Sequence, residues 1–447
     1  MRDLEDRIIA HHVGGRGFGV ALNCPVRFSR DIVNILYEAD EKCALEMIGQ
    51  NTNENFHVLP YCLGLEDRPA KLHITNNPYA SSTLKPNPEY DTYYCEVKLA
   101  GEIDGVPVQD TRYDALYGHE NKVVEVRNVM IRSLDTLVRD GKVPGNLMPD
   151  FISLDTQGSE LDILRGAEAT VRDHCIALAT EIEFHPMYEG QALFSDIFDF
   201  ALRHGFYFAG FTYLQEISPN RMPVGARAKG FLAFGDALFL RRIDSVKSIA
   251  RSPNEQHLML LKLAFVALNF GYLEYALLVL DAAEQTKPDS VLSARLMSRD
   301  CYRLLYELRL AAEALPAGFL HTQRSELVAE RRKMVEQGYL GATKEQAARG
   351  RMAATRLGRA LRRLVRPVWH RLRNAYVDVG MRTPVHRTIT PAASLPPGAM
   401  HATARPAAGA PPPSIEHLLE SYGYSWLASE VRHRRRDAER YVAGRLH

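Results

Sequence analysis

Five short runs of β-branched, aliphatic and aromatic residues, each stopping at a polar residue or turn former, constrain this chain more than any other feature. Ile8–Val13 runs into a glycine cluster, Asp31–Tyr37 ends in Glu38, Asn55–Pro60 ends before Gly64, Phe151–Leu154 ends in Asp155, and Ile176–Phe184 carries Glu181 and Glu183. Helical spacing intervenes: Leu161, Leu164, Ala167 and Val171 predict a helix over 161–171, and Phe194–Leu202 repeats the pattern. Strands separated by helices are joined as parallel neighbours through crossovers, so residues 7 to 242 predict an α/β domain with a mostly parallel sheet. Tyr93–Val129, with turns at Asp104-Gly105 and Tyr117-Gly118, reads as a hairpin insertion beside that sheet. A further hairpin, Phe206–Phe211 and Phe231–Leu240, closes the domain.

Past Arg242 the strand signals stop. Leu260, Leu263, Ala264, Ala267, Gly271, Ala276, Leu280, Ala283 and Pro288 follow the pattern of one tetratricopeptide-type helical hairpin, and stable arrays need about three repeats. The resulting organisation is an α/β domain over 1–243 followed by an all-α C-terminal region. That region comprises helices at 250–345, a basic amphipathic helix at 346–382, a Pro/Ala-rich linker at 383–414 and a basic helix at 415–447. The helical part suits a protein partner. The arginine face of 346–382 suits either packing on the α/β domain or peripheral contact with an anionic membrane, and no motif for reading nucleic acid accompanies it.

At 447 residues the chain has room for two or three folded units, and 46% apolar with 24% charged residues excludes a disordered class. Six cysteines lack CxxC or Cys/His spacing, which predicts neither zinc nor a disulfide framework and fits a reducing cytoplasm. Acids near the N-terminus and the lack of an apolar run of about 18 residues predict neither a secretory signal nor a membrane span. A place at the inner membrane surface stays open.

Chemistry concentrates where the runs end. Gly14, Gly15 and Gly17 follow the first strand, where backbone can approach a nucleotide-like ligand or simply turn. Glu38, about 20 residues on, ends the second strand, where a carboxylate accepts hydrogen bonds from ribose hydroxyls. Together they specify an adenosine-type ligand without saying which. His11 and His12 point to opposite faces of a regular strand, which argues against a paired metal site. Asp135 reads as a cap for a helix beginning at Thr136.

The fourth run reads Phe151-Ile152-Ser153-Leu154-Asp155-Thr156-Gln157-Gly158-Ser159-Glu160-Leu161, then Leu164-Arg165-Gly166-Ala167-Glu168. It resembles the signature of the FkbM family of S-adenosylmethionine-dependent methyltransferases, in which an Asp closes the strand, a Gly turns the chain and an acid opens the next helix. Tyr37-Glu38-Ala39-Asp40, Ser81-Ser82, Ser133-Leu134-Asp135 and Glu181 through Tyr188 are similar to the same family in order and spacing. The resemblance spans about residues 7 to 240 and is strongest at 151–206.

It implies a Rossmann-like class I methyltransferase domain, S-adenosylmethionine as donor, and a hydroxyl oxygen as acceptor, often on a carbohydrate or glycan precursor. Candidates for the base are Asp155, Glu183 and His185. Asp155 is also suited to hold the methionine amino group, and one of Glu181 and Glu183 is expected to face the site. The reaction demands no metal.

Two departures stand beside the resemblance. His12 precedes the glycines where an acid is usual, and only Val20–Arg30, interrupted by Pro25, is available for the helix that covers the donor. They keep two alternatives in view: a scaffold or binding protein on a degenerate methyltransferase domain, and a methyltransferase for a lipid, peptide or natural product.

Overall fold

The computed structural model describes residues 2–14, 22–103, 106–219, 230–286, 288–313 and 413–443. Gly15, Gly17, the Asp104-Gly105 turn, the helical segment after 313, the basic helix at 346–382 and nearly all of the 383–414 linker lie outside the described residues. The chain divides into two compact units, 1–309 and 310–447.

In the first unit, β1 (Ile8–Val13) has parallel neighbours on both sides, β2 (Ile32–Tyr37) and, far along the chain, β9 (Phe151–Leu154). β3 (Phe56–Leu59) lies outside β2, and β10 (Ala177–Glu183) lies outside β9. All residues of β1, β9 and β10 are buried, as strands covered on both faces must be. The sheet continues antiparallel through β12 (Phe231–Arg241), β11 (Phe206–Ser218), β6 (Tyr94–Ile103) and β7 (Val106–Leu116), giving the order β3-β2-β1-β9-β10-β12-β11-β6-β7. This is the expected Rossmann-like sheet with helices. Its topological switch point lies between β1 and β9, where open α/β sheets bind ligands beyond the strands' carboxyl ends.

Three sequence expectations change. The 93–129 segment is not one insertion beside the sheet: the β6–β7 hairpin extends the sheet itself, joining β11 through Cys95–Ile217 and Tyr94–Ser218. Beyond it, β8 (Val123–Arg132) enters a second sheet with β4 (Cys62–Leu63) and β5 (Arg68–Thr75), and Tyr117-Gly118 opens a short helix rather than a strand turn. The helix over 161–171 is two, α5 (Glu160–Gly166) and α6 (Glu168–Asp173), broken at Ala167. Asp135 does not cap its own helix. Ser133 does that by accepting from Thr136 N, while Asp135 accepts from Ala169 N and Thr170 N at the start of α6. Its carboxylate thereby meets the positive end of a neighbouring helix.

The helices after 242 close the opposite end of the sheet. Pro253–Asn269, N-capped by Ser252, and Leu273–Glu284 form an antiparallel hairpin, followed by Ser290–Leu296 and Asp300–Glu313. Three acids just before or at the starts of parallel strands meet cations from this layer. Asp6 bonds Arg295 (2.7 Å), Asp31 faces Arg299 (3.6 Å), and Asp150 takes both oxygens to Lys262 Nζ (3.0 and 2.8 Å). Phe265 packs on Phe28 and Phe270 on Phe151. The layer is keyed to the sheet's amino edge by charge as well as by apolar contact.

In the second unit, the last helix expected from the sequence is a pair, Ile415–Ser421 and Ser425–Ala443, separated at Gly423 with φ +92°. Arg435 pairs with Glu416 and Arg432 with Glu420, so part of the basic run closes this hairpin. No helix among the described residues is long and apolar enough to cross a membrane.

Candidate functional site

Register brings the carboxyl ends of three strands level. Val13 pairs with Tyr37 on one side and Leu154 on the other, so the next residues, Gly14, Glu38 and Asp155, leave adjacent strands side by side. The ladder runs one step further through Gly14 N to Tyr37 O (3.3 Å) and Asp155 N to Val13 O (2.9 Å). All three residues line one cleft. Tyr61, Cys62, Leu63, Leu72 and Ile74 give it an apolar wall, and Pro78 to Thr83 form its rim.

Gly14 is needed for a reason the glycine pattern alone does not reveal. Its φ is +108°, and a Cβ there would stand 1.9 Å from Asp155 O. Only glycine lets the β1 and β9 ends approach so closely. Between there and β2, the described residues hold a single 3-10 turn, Val26–Phe28, in place of a covering α-helix.

Glu38 is 6% exposed and its Oε1 accepts from Asp40 N (2.7 Å). Asp40 caps the helix Glu41–Gln50 and pairs with Arg127 of β8 (2.6 Å), so the second sheet steadies the loop carrying Glu38. Loop 155–160 is folded around Glu160: Oε1 accepts from Thr156 N and Oγ1 (2.7 and 2.9 Å), and Oε2 accepts from Gly158 N (2.9 Å). Burial pushes the Glu160 carboxyl up to about 7; its hydrogen bonds oppose this, and Asp155 adds a smaller upward push.

Behind Asp155 lies a set of carboxyls. The expectation that only one of Glu181 and Glu183 faces the site is wrong, because side chains two apart on a strand share a face. Both are buried. Desolvation, and then neighbouring carboxylates including Asp155 and Glu160, hold both well above the ordinary carboxylate range. Burial, then Asp155, likewise pushes Asp236 of β12 up to about 7. Glu183 Oε2 and Gln191 Nε2 are buried without a partner in hydrogen-bonding geometry, though proximity to Gln191 lowers the Glu183 pKa in part. The Gln157 amide donates to Asp155 Oδ1 (3.0 Å) and Glu181 Oε2 (2.5 Å).

Residues 22–208 match the methyltransferase FkbM domain. The chain carries an FkbM methyltransferase domain. No curated protein and no solved structure matches the chain. The FkbM match begins after the glycine cluster, and the fold supplies what precedes it: β1, seated centrally, and Gly14 at its end.

Gly14, which precedes the matched segment, comes together at the cleft with Glu38 and Asp155 inside it, and Glu183 sits in the acid set around Asp155. His185 lies apart from the cleft lining, among aromatic rings, 5.9 Å from Tyr90 and 6.2 Å from Phe231 between centroids. His12, at the departure from the family pattern, bonds Ser153 Oγ (2.8 Å) and Gly14 O (3.0 Å). It thus ties the end of β1 to β9. Among the described residues no group of three or more His, Cys, Asp or Glu is arranged to hold a metal ion.

Sequence reasoning missed Asp236, Gln157 and the Asp40–Arg127 pair. Asp236 left one signal, a lone acid inside the apolar run Phe231–Leu240. The other two depend on contacts between distant segments.

Proposed function

We propose that this FkbM domain is an S-adenosylmethionine-dependent O-methyltransferase acting on a sugar hydroxyl of a glycan or glycan precursor. One observation carries the reading: the level ends of β2, β1 and β9 bring Glu38, Gly14 and Asp155 to one cleft at the sheet's switch point. The residues present suit the donor. Glu38 offers a carboxylate to the ribose hydroxyls, the wall from Tyr61 to Ile74 suits the purine, and Asp155 places negative charge beside the cationic methionine end.

When bound, the donor supplies a methyl group on a positively charged sulfur. The protein's own work is alignment and proton removal. Asp155, the base candidate that lines the cleft, takes the acceptor's proton, while burial favours the protonated forms of Glu181 and Glu183. Glu38, Asp40 and Asp155 place three acids on the cleft lining, which favours an acceptor rich in O–H donors, as a sugar is.

The test uses the full-length protein. Calorimetry should detect S-adenosylmethionine and S-adenosylhomocysteine, and methyl label from the donor should pass into carbohydrate of a native lysate, released by acid hydrolysis as an O-methyl sugar. Folded protein that binds neither compound would overturn the donor assignment. Label found in lipid or peptide alone would overturn the acceptor assignment.

A further inference from the structure

Gln157 has no role in the proposed reaction, yet it stands at the turn of the loop that Glu160 ties together. It is one of two non-glycine residues with positive φ among those described, at +60°, and Gly158 follows at +101°. A left-handed backbone disfavours Gln, and such outliers concentrate where a side chain must be aimed. Every polar group of the side chain is engaged. Nε2 donates to Asp155 Oδ1 and Glu181 Oε2, and Oε1 accepts from the Tyr188 hydroxyl (2.9 Å). The main chain is held too: Gln157 O accepts from Ser82 Oγ (2.7 Å) on the cleft rim. Tyr188 is 2% exposed and lies 3.1 Å from Ala80 O, so the far side of the amide is anchored to the same rim.

We propose that Gln157 is a positioning residue that fixes the direction of the Asp155 carboxyl toward the donor's sulfonium. The claim rests on the donor site proposed above and deepens it. Asp155 is within electrostatic reach of Glu160 of α5, Glu181 and Glu183 of β10 and Asp236 of β12, and His12 of β1 bonds Gly14 O at the adjoining strand end. Among so many carboxyls, a fixed N–H donor favours the charged form of the group it touches. The same amide holds Glu181, which stops the two acids from turning toward each other. The strained backbone places both N–H groups where a relaxed loop would not.

The test compares binding of S-adenosylmethionine and S-adenosylhomocysteine to the full-length protein from pH 5.5 to 8.5 by calorimetry. The two ligands differ in one methyl group and the sulfonium charge, so general damage to the site weakens both alike, whereas a misdirected Asp155 changes their ratio. Gln157→Asn suits the left-handed backbone but is too short to span both acids, so it removes the contacts while keeping the turn, and thermal melting checks that it folds. Its affinity ratio should fall about fivefold or more at pH 8, and the midpoint of the ratio's pH dependence should move up by about one unit. Gln157→Glu keeps a donor only while protonated. Its ratio should approach the parent's at pH 5.5 and collapse by pH 8.

Affinities for both ligands that fall in parallel in both variants, with an unshifted pH dependence, would overturn the proposal and leave the donor site standing. A folded parent protein that binds neither ligand would overturn both.

Discussion

Replacing Lys262 with Met should unfold the first unit far more readily than a single surface change would. Lys262 Nζ lies 3.0 and 2.8 Å from the two oxygens of Asp150, whose Oδ2 also accepts from Ile9 N (2.7 Å). The partners are 6% and 8% exposed, so the variant leaves a buried carboxylate with one backbone donor and no cation. Removing one partner of a buried pair costs about 3–5 kcal/mol. In a unit of this size that lowers the melting temperature by about 5–8 °C.

The loss should depend on pH. Burial raises the Asp150 pKa and Lys262 is the main opposing influence, so without Lys262 it rises further. The folded state then binds a proton that the unfolded state releases, and stability falls as pH rises above the ordinary carboxylate range. The deficit should therefore be smaller at pH 5 than at pH 8. Asp150→Asn with Lys262→Met should regain most of it, since Asn keeps an acceptor for Ile9 N. Guanidinium denaturation of the full chain measures all three proteins. A Lys262→Met loss below about 1 kcal/mol, or a double variant no better than the single, would refute the keyed-layer argument.

Glu38→Ala should weaken S-adenosylmethionine binding about 10- to 100-fold, from the loss of charge-assisted hydrogen bonds, with little change in melting temperature; unchanged affinity by calorimetry would remove Glu38 from the ribose role. Gly14→Ala should lose at least about 2–3 kcal/mol in urea denaturation, because its Cβ would fall 1.9 Å from Asp155 O at a φ of +108°. A fully stable variant would show that the strand ends can part. Glu160 and Asp236, both raised to about 7, should make the protein lose stability as pH rises from the ordinary carboxylate range through about 7. Glu160→Gln and Asp236→Asn should each flatten that slope, and urea midpoints at pH 5 and pH 8 read it.

The strands that build the site were legible because burial on both faces forces continuous apolar runs, and Phe151–Leu154 was delimited to the residue. β5 was missed because Arg68–Thr75 alternates exposed charge with apolar residues and carries no such run. The break at Ala167 was invisible because apolar spacing continues across it; Asp135, from another helix, bonds the main chain just beyond. Register explains why Gly14, Glu38 and Asp155 could be grouped from sequence: each ends a strand, and parallel neighbours end together. Asp236 and Gln157 could not be grouped that way, since their proximity follows from an antiparallel strand and a left-handed turn. The face shared by Glu181 and Glu183 was legible from the pleat and was misread.

The basic layer under the sheet sets where this protein can be cut. The FkbM match stops at 208 and strand signals stop near 241, yet Lys262, Arg295 and Arg299 neutralise acids at the feet of the central strands. A fragment ending between those points would strand three carboxylates in apolar surroundings and uncover Phe28 and Phe151. The smallest autonomous piece therefore runs to about 309, and any shorter version made for crystallisation or for grafting onto another protein would be expected to precipitate.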